Sequence, residues 1–347
     1  MQSKTYQRII NAWCMYDWAN SAFATTIMAA VLPTFYGAVA GADLPGNLAT
    51  VYWGYTSSIA LLIAAVLAPV LGAAADYLGA KKRFLALFAL LGIFFTSLLV
   101  LVSRGDWLLA SVLYILGEVG FSGSIVFYDS LLPHIARPED IDYVSSKGYA
   151  MGDLGGGILL ALNIVMILFW DKLGLSSQEM ASRLSFLSVG VWWAVFSIPI
   201  LRIVPEPPVR GVSGPRVNPF RAAFQRLGST FRDIRRYKEL TKFIVAFWLY
   251  NDGIGTIIKM ATIYGTEIGI GQTSLIGALL LTQFVGIPVS LLFGKLPRFL
   301  GTKRSIYLAL GVYTLISIAG YFMTSAWQFG VLAGMVGLVQ GGSQALS

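Results

Sequence analysis

Six ionisable side chains stand inside stretches that are otherwise almost free of charge: Asp17, Glu118, Asp129, Asp153, Asp252 and Lys259. Near the centre of a lipid-embedded helix each ionised group costs about 2.5 to 3.5 kcal/mol on insertion scales, so such residues are expected to face protein or a water-filled cavity. The chemistry open to them there is proton uptake and release, ion pairing and the binding of a polar solute. A carboxylate in a low-dielectric setting takes up a proton more readily than one in water, which suits it to proton coupling. Glu118 is the favoured protonation site and Asp17 the second. The competing reading is an ion pair, Asp252 with Lys259 or with a neighbouring helix, that holds one conformation closed.

Helical spacing groups these residues onto faces. Eleven residues separate Glu118 from Asp129, close to three whole turns, so both look the same way with Ser122 between them. Asp252 and Lys259 are seven apart, nearly two turns, with Gly255 and Thr256 on that side. Asp17, Asn20, Ser21 and Ala24 form a small polar stripe. Each helix therefore has one polar face and a remainder compatible with lipid.

The elements that must carry these faces follow from composition. The chain has 347 residues, 56% hydrophobic and 12% charged, with a mean hydropathy of +0.71. Soluble globular proteins carry about 25% charged residues, so soluble-enzyme, collagen-like and disordered classes are excluded. A crossing helix needs about 20 apolar residues. Cutting at charges and Gly/Pro breaks gives ten spans: Asn11 to Val39, Val51 to Ala75, Phe84 to Ser103, Trp107 to Leu131, Lys147 to Trp170, Leu184 to Leu201, Phe243 to Gly265, Thr273 to Phe293, and two from Ser305 onward that turn at Thr324 to Gln328. The fold class is all-α membrane protein.

Alternating the loops places Lys4, Arg8, the Lys81 to Arg83 run, Arg137, Lys147, the cations from Arg202 to Lys242, and Lys295, Arg298, Lys303 and Arg304 on one side. Only Arg104, Lys172 and Arg183 fall on the other. Cytoplasmic loops carry the Lys/Arg excess, so the N-terminus is expected in the cytoplasm, and the membrane to be the plasma (inner) membrane if the source is prokaryotic. The basic, proline-bearing stretch near 205–240 divides the chain into 1–204, with six spans, and 241–347, with four. It reads as a solvated linker that fixes topology, or as a surface for anionic lipid headgroups. A net charge of +8 is thereby explained by orientation, and no nucleic acid is expected. Cys14 has no partner for a disulfide, and His134, the single histidine, adds little. No nucleotide, metal or nucleophile constellation is present, so neither a cofactor nor an enzyme activity is expected.

Two turns repeat. Gly72, Asp76, Gly79, Lys81 and Lys82 follow the second span, and Gly294, Arg298, Gly301, Lys303 and Arg304 follow the eighth, 222 residues on. The first glycine is expected to let the helix end approach a neighbour closely and the second to release a tight turn. The pattern G-x-x-x-D-x-x-G-x-[KR]-[KR] resembles the loop signature of the major facilitator superfamily. Within that superfamily, Trp13 to Ser21, Phe127 to Pro133, Ser146 to Gly156, Leu249 to Gly253 and Val339 to Ser347 resemble the vacuole-effluxer-like family, whose fungal members release amino acids from the vacuole.

The resemblance implies two six-helix halves with solute bound between them and helices one, four, seven and ten lining the cavity. It makes Gly72, Asp76, Gly79, Lys81 and Lys82 a gating loop. Asp17, Asn20, Glu118, Asp129, Asp153, Asn251, Asp252, Lys259 and Gln340 become the candidate substrate and proton pathway. Gly148, Gly152, Gly156 and Gly157 are similar to the superfamily's antiporter signature with Asp153 in place of a proline, a hint of export; close helix packing explains the same glycines. The resemblance also implies two more helices after Ser347, so a C-terminally truncated product is expected, in which Asp76 lacks a partner. The resulting expectation is a monomeric secondary transporter that moves a small polar solute, amino acids favoured, with protons and by alternating access. The alternatives are a non-transporting membrane sensor or assembly protein and an inactive truncated transporter.

Overall fold

The computed structural model describes residues 4–207, 238–293 and 302–346. Ten helices carry the chain: α1 (Lys4–Ala40), α2 (Leu48–Leu78), α3 (Lys81–Leu98), α4 (Trp107–Ile135), α5 (Ile141–Leu168), α6 (Gln178–Ile203), α7 (Lys238–Glu267), α8 (Gln272–Phe293), α9 (Thr302–Tyr321) and α10 (Ala326–Leu346). Each sequence span corresponds to one helix; most run further at one or both ends, while α3 stops at Leu98 and α5 at Leu168, short of the expected Ser103 and Trp170. Six of them, α1 to α6, contain stretches long and apolar enough to cross a membrane; the described parts of α8 and α10 hold shorter apolar runs, Thr273–Gly286 and Ala326–Gln340. On α7 the apolar run is interrupted by Asp252 and Lys259.

Termini of the helices show the local chemistry that sets them. Gly79 adopts φ +58° between α2 and α3, a left-handed conformation that side chains resist, as expected of the second glycine of the turn. The first glycine behaves otherwise: a Cβ at Gly72 would meet Val126 at an ordinary 3.7 Å, so no close approach requires it. The turn between α9 and α10 falls where expected, and the Gln328 side chain accepts from the Thr324 and Ser325 N–H groups at 2.8 and 3.2 Å. Ser177 caps α6 by accepting from the Met180 N–H.

Within the first half, α1 packs on α5 and α6, α3 on α4 and α6, and α2 on α4. Small residues allow the closest of these approaches. A Cβ at Gly155 would stand 2.6 Å from the Trp18 carbonyl oxygen and one at Gly156 2.9 Å from that of Ser21, so α1 and α5 meet backbone to backbone. Gly92 and Gly120 do the same for α3 and α4. The resulting core holds Trp13, Tyr16, Phe23, Tyr36, Trp53, Tyr114, Phe127 and Trp193, and it extends to Ile263 of α7 and Ile276 of α8. Two smaller apolar clusters join the second half, one uniting α7, α9 and α10 and the other α7, α8 and α10. Leu62, Val66, Leu90, Leu162, Val165, Val191 and Val195 lie exposed on the outside, where acyl chains rather than water are the compatible solvent.

Helix α1 is not regular. Wider i→i+5 turns run through Phe23–Ala30 and Tyr36–Ala40, which frequently mark functional positions. The first of these stretches faces α4, where Phe23 lies 4.9 Å from the Phe121 ring.

The backbone-to-backbone contact gives a direct test. Gly156→Ala should lower the thermal unfolding midpoint in detergent, because overpacking costs about 1 to 3 kcal/mol and the Ser21 carbonyl cannot yield. Gly320→Ala, where no atom lies within 4 Å, should leave the midpoint unchanged or raise it, since alanine favours helix over glycine by about 0.5 to 1 kcal/mol.

Candidate substrate and proton pathway

Glu118 of α4 is 2% exposed. Its Oε1 accepts from Lys259 Nζ of α7 at 3.4 Å and from Ser122 Oγ at 3.4 Å. The Lys259 side chain is 12% exposed, so the pair sits almost wholly out of solvent. Oε2 makes no hydrogen bond among the described residues, and neither do Tyr114 Oη and Ser57 Oγ, which lie beside it. These three buried polar atoms form one cluster, the phenol facing both the carboxylate and the serine hydroxyl, and groups of this kind are satisfied by one another or by a bound polar molecule.

The backbone around this pair is fastened to the first half. Trp53 Nε1 of α2 donates to the Lys259 carbonyl at 3.0 Å, and Thr262 Oγ1 donates to the Ala29 carbonyl at 2.9 Å, within the widened part of α1. A hydroxyl chain crosses from α2 through α4 to α1, with Thr56 donating to Ser111 and Ser111 sharing a bond with Tyr36, both at 2.8 Å. One turn of α7 thus meets α1, α2 and α4 together. Toward the start of α7 the situation reverses: Trp248, Leu249, Asn251 and Asp252 are exposed.

The expected face on α7 is therefore corrected. Asp252 does not pair with Lys259; seven residues of helix separate them by about 10 Å along the axis, and the lysine reaches across to α4 instead. Asn251 and Asp252 lie away from the buried pair.

A second group forms nearer the basic end. Tyr128 Oη of α4 donates to Asp17 Oδ2 of α1 at 2.9 Å. Tyr128 is held in turn by stacking on Trp13 at 4.2 Å, and Trp13 Nε1 donates to the Tyr128 carbonyl at 3.1 Å. Asp129 of α4, exposed, and Asp153 of α5, half-buried, lie within electrostatic reach of Asp17, and all three act on Tyr149. Glycines make room: a Cβ at Gly148 would stand 2.8 Å from Asp17 Oδ2. Asp153 also lines a cavity of about 30 Å³ between α5 and α8 with Gly157, Ile158 and Gln283, enough for one water. Asn20, one turn beyond Asp17, is 2% exposed with its Nδ2 unpartnered. Gln340 stands half-buried on α10, which packs on α8 and α9.

The lysines of the expected gating loop are not simply solvated. Lys81 is 9% exposed, donates to the Ser130 carbonyl at 3.2 Å and lies 3.2 Å from His134 Nε2, so the histidine dismissed on sequence grounds anchors this turn to α4. The Lys82 N–H donates to the Glu206 carboxylate, and its Nζ to the Val204 carbonyl. The Asp76 side chain lies outside the described residues, as does the second copy of the turn from Gly294 to Gly301.

Sequence reasoning missed Tyr114, Ser57, Trp53, Thr262 and Tyr128. Tyr114, four residues before Glu118, Thr262, three after Lys259, and Tyr128, next to Asp129, share helices with the charges, but their partners, like Trp53 and Ser57, come from helices distant in sequence.

Comparison with known proteins gives the family. A sequence profile described as "Vacuole effluxer Atg22 like" matches residues 48–347. The MFS-type transporter YxiO of Bacillus subtilis (strain 168) is 37% identical over 346 residues, covering 99% of this chain and 80% of that protein. Autophagy-related protein 22 of Coccidioides immitis is 25% identical over 360 residues, and the match spans 83% of this chain and 60% of the fungal protein. In three dimensions the chain resembles the xylose transporter XylE from E. coli in a partially occluded inward open conformation, with a TM-score of 0.61, 13% identity, and coverage of 99% of this chain and 84% of that one. With its all-helical bundle, its major facilitator fold and these matches, the chain belongs to the vacuole effluxer Atg22-like family of MFS-type transporters.

Proposed function

We propose that this transporter carries a small polar solute, an amino acid in preference, across the membrane by alternating access with proton coupling, and that Glu118 is the group that binds the proton. The observation that carries the reading is the Glu118–Lys259 pair, a buried ionic link between α4 and α7 with one carboxylate oxygen left open. Protonating Glu118 removes its charge and with it the attraction to Lys259, so α7 is released from α4. An amino acid zwitterion satisfies the same two groups differently, its ammonium on Glu118 and its carboxylate on Lys259, in the space bordered by Tyr114 and Ser57. Either event changes what holds the two helices together, which is what a coupled transporter requires.

In this reading the structure faces the cytoplasm. The contacts of Trp53, Lys259, Thr262 and Ala29 close the outer side, while the exposed Asn251 and Asp252 border the inward opening, and Asp17, Asp129 and Asp153 flank that opening from the first half. The Lys81 turn, tied to Ser130, His134 and Glu206, serves as the inner gating loop. The inner membrane, an N-terminus in the cytoplasm, a monomeric state and an efflux direction complete the proposal, the last supported by the family's description as effluxers.

Two experiments test it. Proteoliposomes supplied with labelled amino acids should accumulate or release them when a pH gradient is imposed. Glu118→Gln should lower gradient-driven flux at least about tenfold, equivalent to about 1.4 kcal/mol, while solute exchange without a gradient persists. Gradient-driven flux unchanged by Glu118→Gln would refute coupling at that residue; no flux of any amino acid would favour a non-transporting role. Removing one partner of a buried pair costs about 3 to 5 kcal/mol whereas replacing both often costs little, so Lys259→Met should unfold at lower temperature than the Glu118→Gln/Lys259→Met double variant.

The facing of the cavity is read by thiol labelling, since the native Cys14 is buried and contributes little background. Asn251→Cys should react rapidly with a membrane-impermeant maleimide added from the cytoplasmic side, and Thr262→Cys should not react until solute and a gradient are supplied. Equal labelling of both at rest would contradict an inward-facing state.

A further inference from the structure

A groove of about 480 Å³ opens between α1 and α6 at the basic end of the bundle, and neither Glu118 nor Lys259 lines it. Lys4, Gln7, Arg8, Asn11, Ala12 and Met15 of α1 form one wall. Pro199 and Ile203 of α6 form the other; the proline has no N–H to give the carbonyl four residues back.

Polarity along the α1 wall is graded. The cations Lys4 and Arg8, with Gln7 between them, come first, then the amide of Asn11, then Ala12 and Met15, a spacing of eleven residues or about 17 Å of helix axis. Among the described residues Lys4 and Arg8 make no ion pair, and no acidic residue lines the groove. Asn11 accepts from Lys147 Nζ of α5 at 2.6 Å, which brings a third cation to the rim. An exposed cationic end followed by an apolar channel of this depth matches a phosphate headgroup with the first part of an acyl chain, and basic pockets between helices on the cytoplasmic side bind such lipids.

The geometry points to a binding site for an anionic phospholipid of the cytoplasmic leaflet in this α1–α6 groove, with its phosphate on Lys4 and Arg8 and one acyl chain along Met15, Pro199 and Ile203. The segment 208–237 that follows α6 is the rival occupant, but it carries seven arginines against the single acid Asp233. Like charges disfavour it beside Lys4 and Arg8. The lipid would wedge the cytoplasmic ends of α1 and α6, and α1 also carries Asp17, so the site adds a lipid dependence that the solute pathway alone does not supply.

Native mass spectrometry of the full chain in neutral detergent tests this with phosphatidylglycerol, phosphatidylethanolamine and inorganic phosphate as separate additions. Phosphatidylglycerol should bind in preference to phosphatidylethanolamine. K4Q/R8Q should weaken phosphatidylglycerol binding about thirtyfold, two cations near the surface each contributing about a fivefold effect, and leave phosphatidylethanolamine unchanged. K4R/R8K should restore the preference and control for folding, and Met15→Trp, which fills the apolar end, should lower occupancy by both lipids. The proposal is overturned if K4Q/R8Q keeps the full preference, if inorganic phosphate competes as well as the lipid does, or if neutralising Arg210, Arg216 and Arg221 abolishes the preference while K4Q/R8Q does not.

Discussion

A charge in an apolar bundle has to be neutralised by a partner or reached by water, and here one carboxylate and one ammonium neutralise each other across two helices. Glu118 and Lys259 are separated by 141 positions in the chain and by 3.4 Å in space. Because desolvation of each is expensive, the pair is strongly favoured over either group alone, and the helices that carry them are held at that level. The Trp53 and Thr262 hydrogen bonds to backbone carbonyls gather around the same turn of α7. Losing either member would leave the other buried and unpaired, so the pair ties α4 to α7 as a unit.

The pair is set against a closely packed frame, and the first half supplies it. Backbone contact between α1 and α5 at Gly155 and Gly156, and between α3 and α4 at Gly92 and Gly120, leaves no room for sliding. The Trp13–Tyr128 stack aims the phenol at Asp17. Glycine is costly in a regular helix, so its concentration in α5 is explained by this approach and by the room it gives the Asp17 carboxylate. The same glycines satisfy the packing reading set out for that stretch, with Asp153 placed at the α5–α8 seam rather than toward lipid.

Several features were legible before any coordinates. Ten predominantly apolar runs became ten helices because in lipid the backbone must satisfy its own hydrogen bonds, which a helix does within one segment. Glu118 and Lys259 stood out because ionisable groups are rare in such runs. Which partner Lys259 takes was not legible: helical periodicity put it on one face with Asp252, yet periodicity describes direction and says nothing of depth or of the helix opposite. His134 and Glu206 were passed over for a similar reason, since a residue at a helix end gains meaning only from the turn that folds against it.

The chain by itself determined that it is a membrane bundle, where its helices run, and which few side chains are out of place in oil, because those properties depend on local composition and on the cost of burying charge. Tertiary structure alone decided which of those side chains meet, which remain exposed, and where glycine is demanded by a neighbour rather than by its own backbone. Those outcomes depend on the angle and depth at which separate helices cross, and these are set by close packing among residues far apart in the sequence.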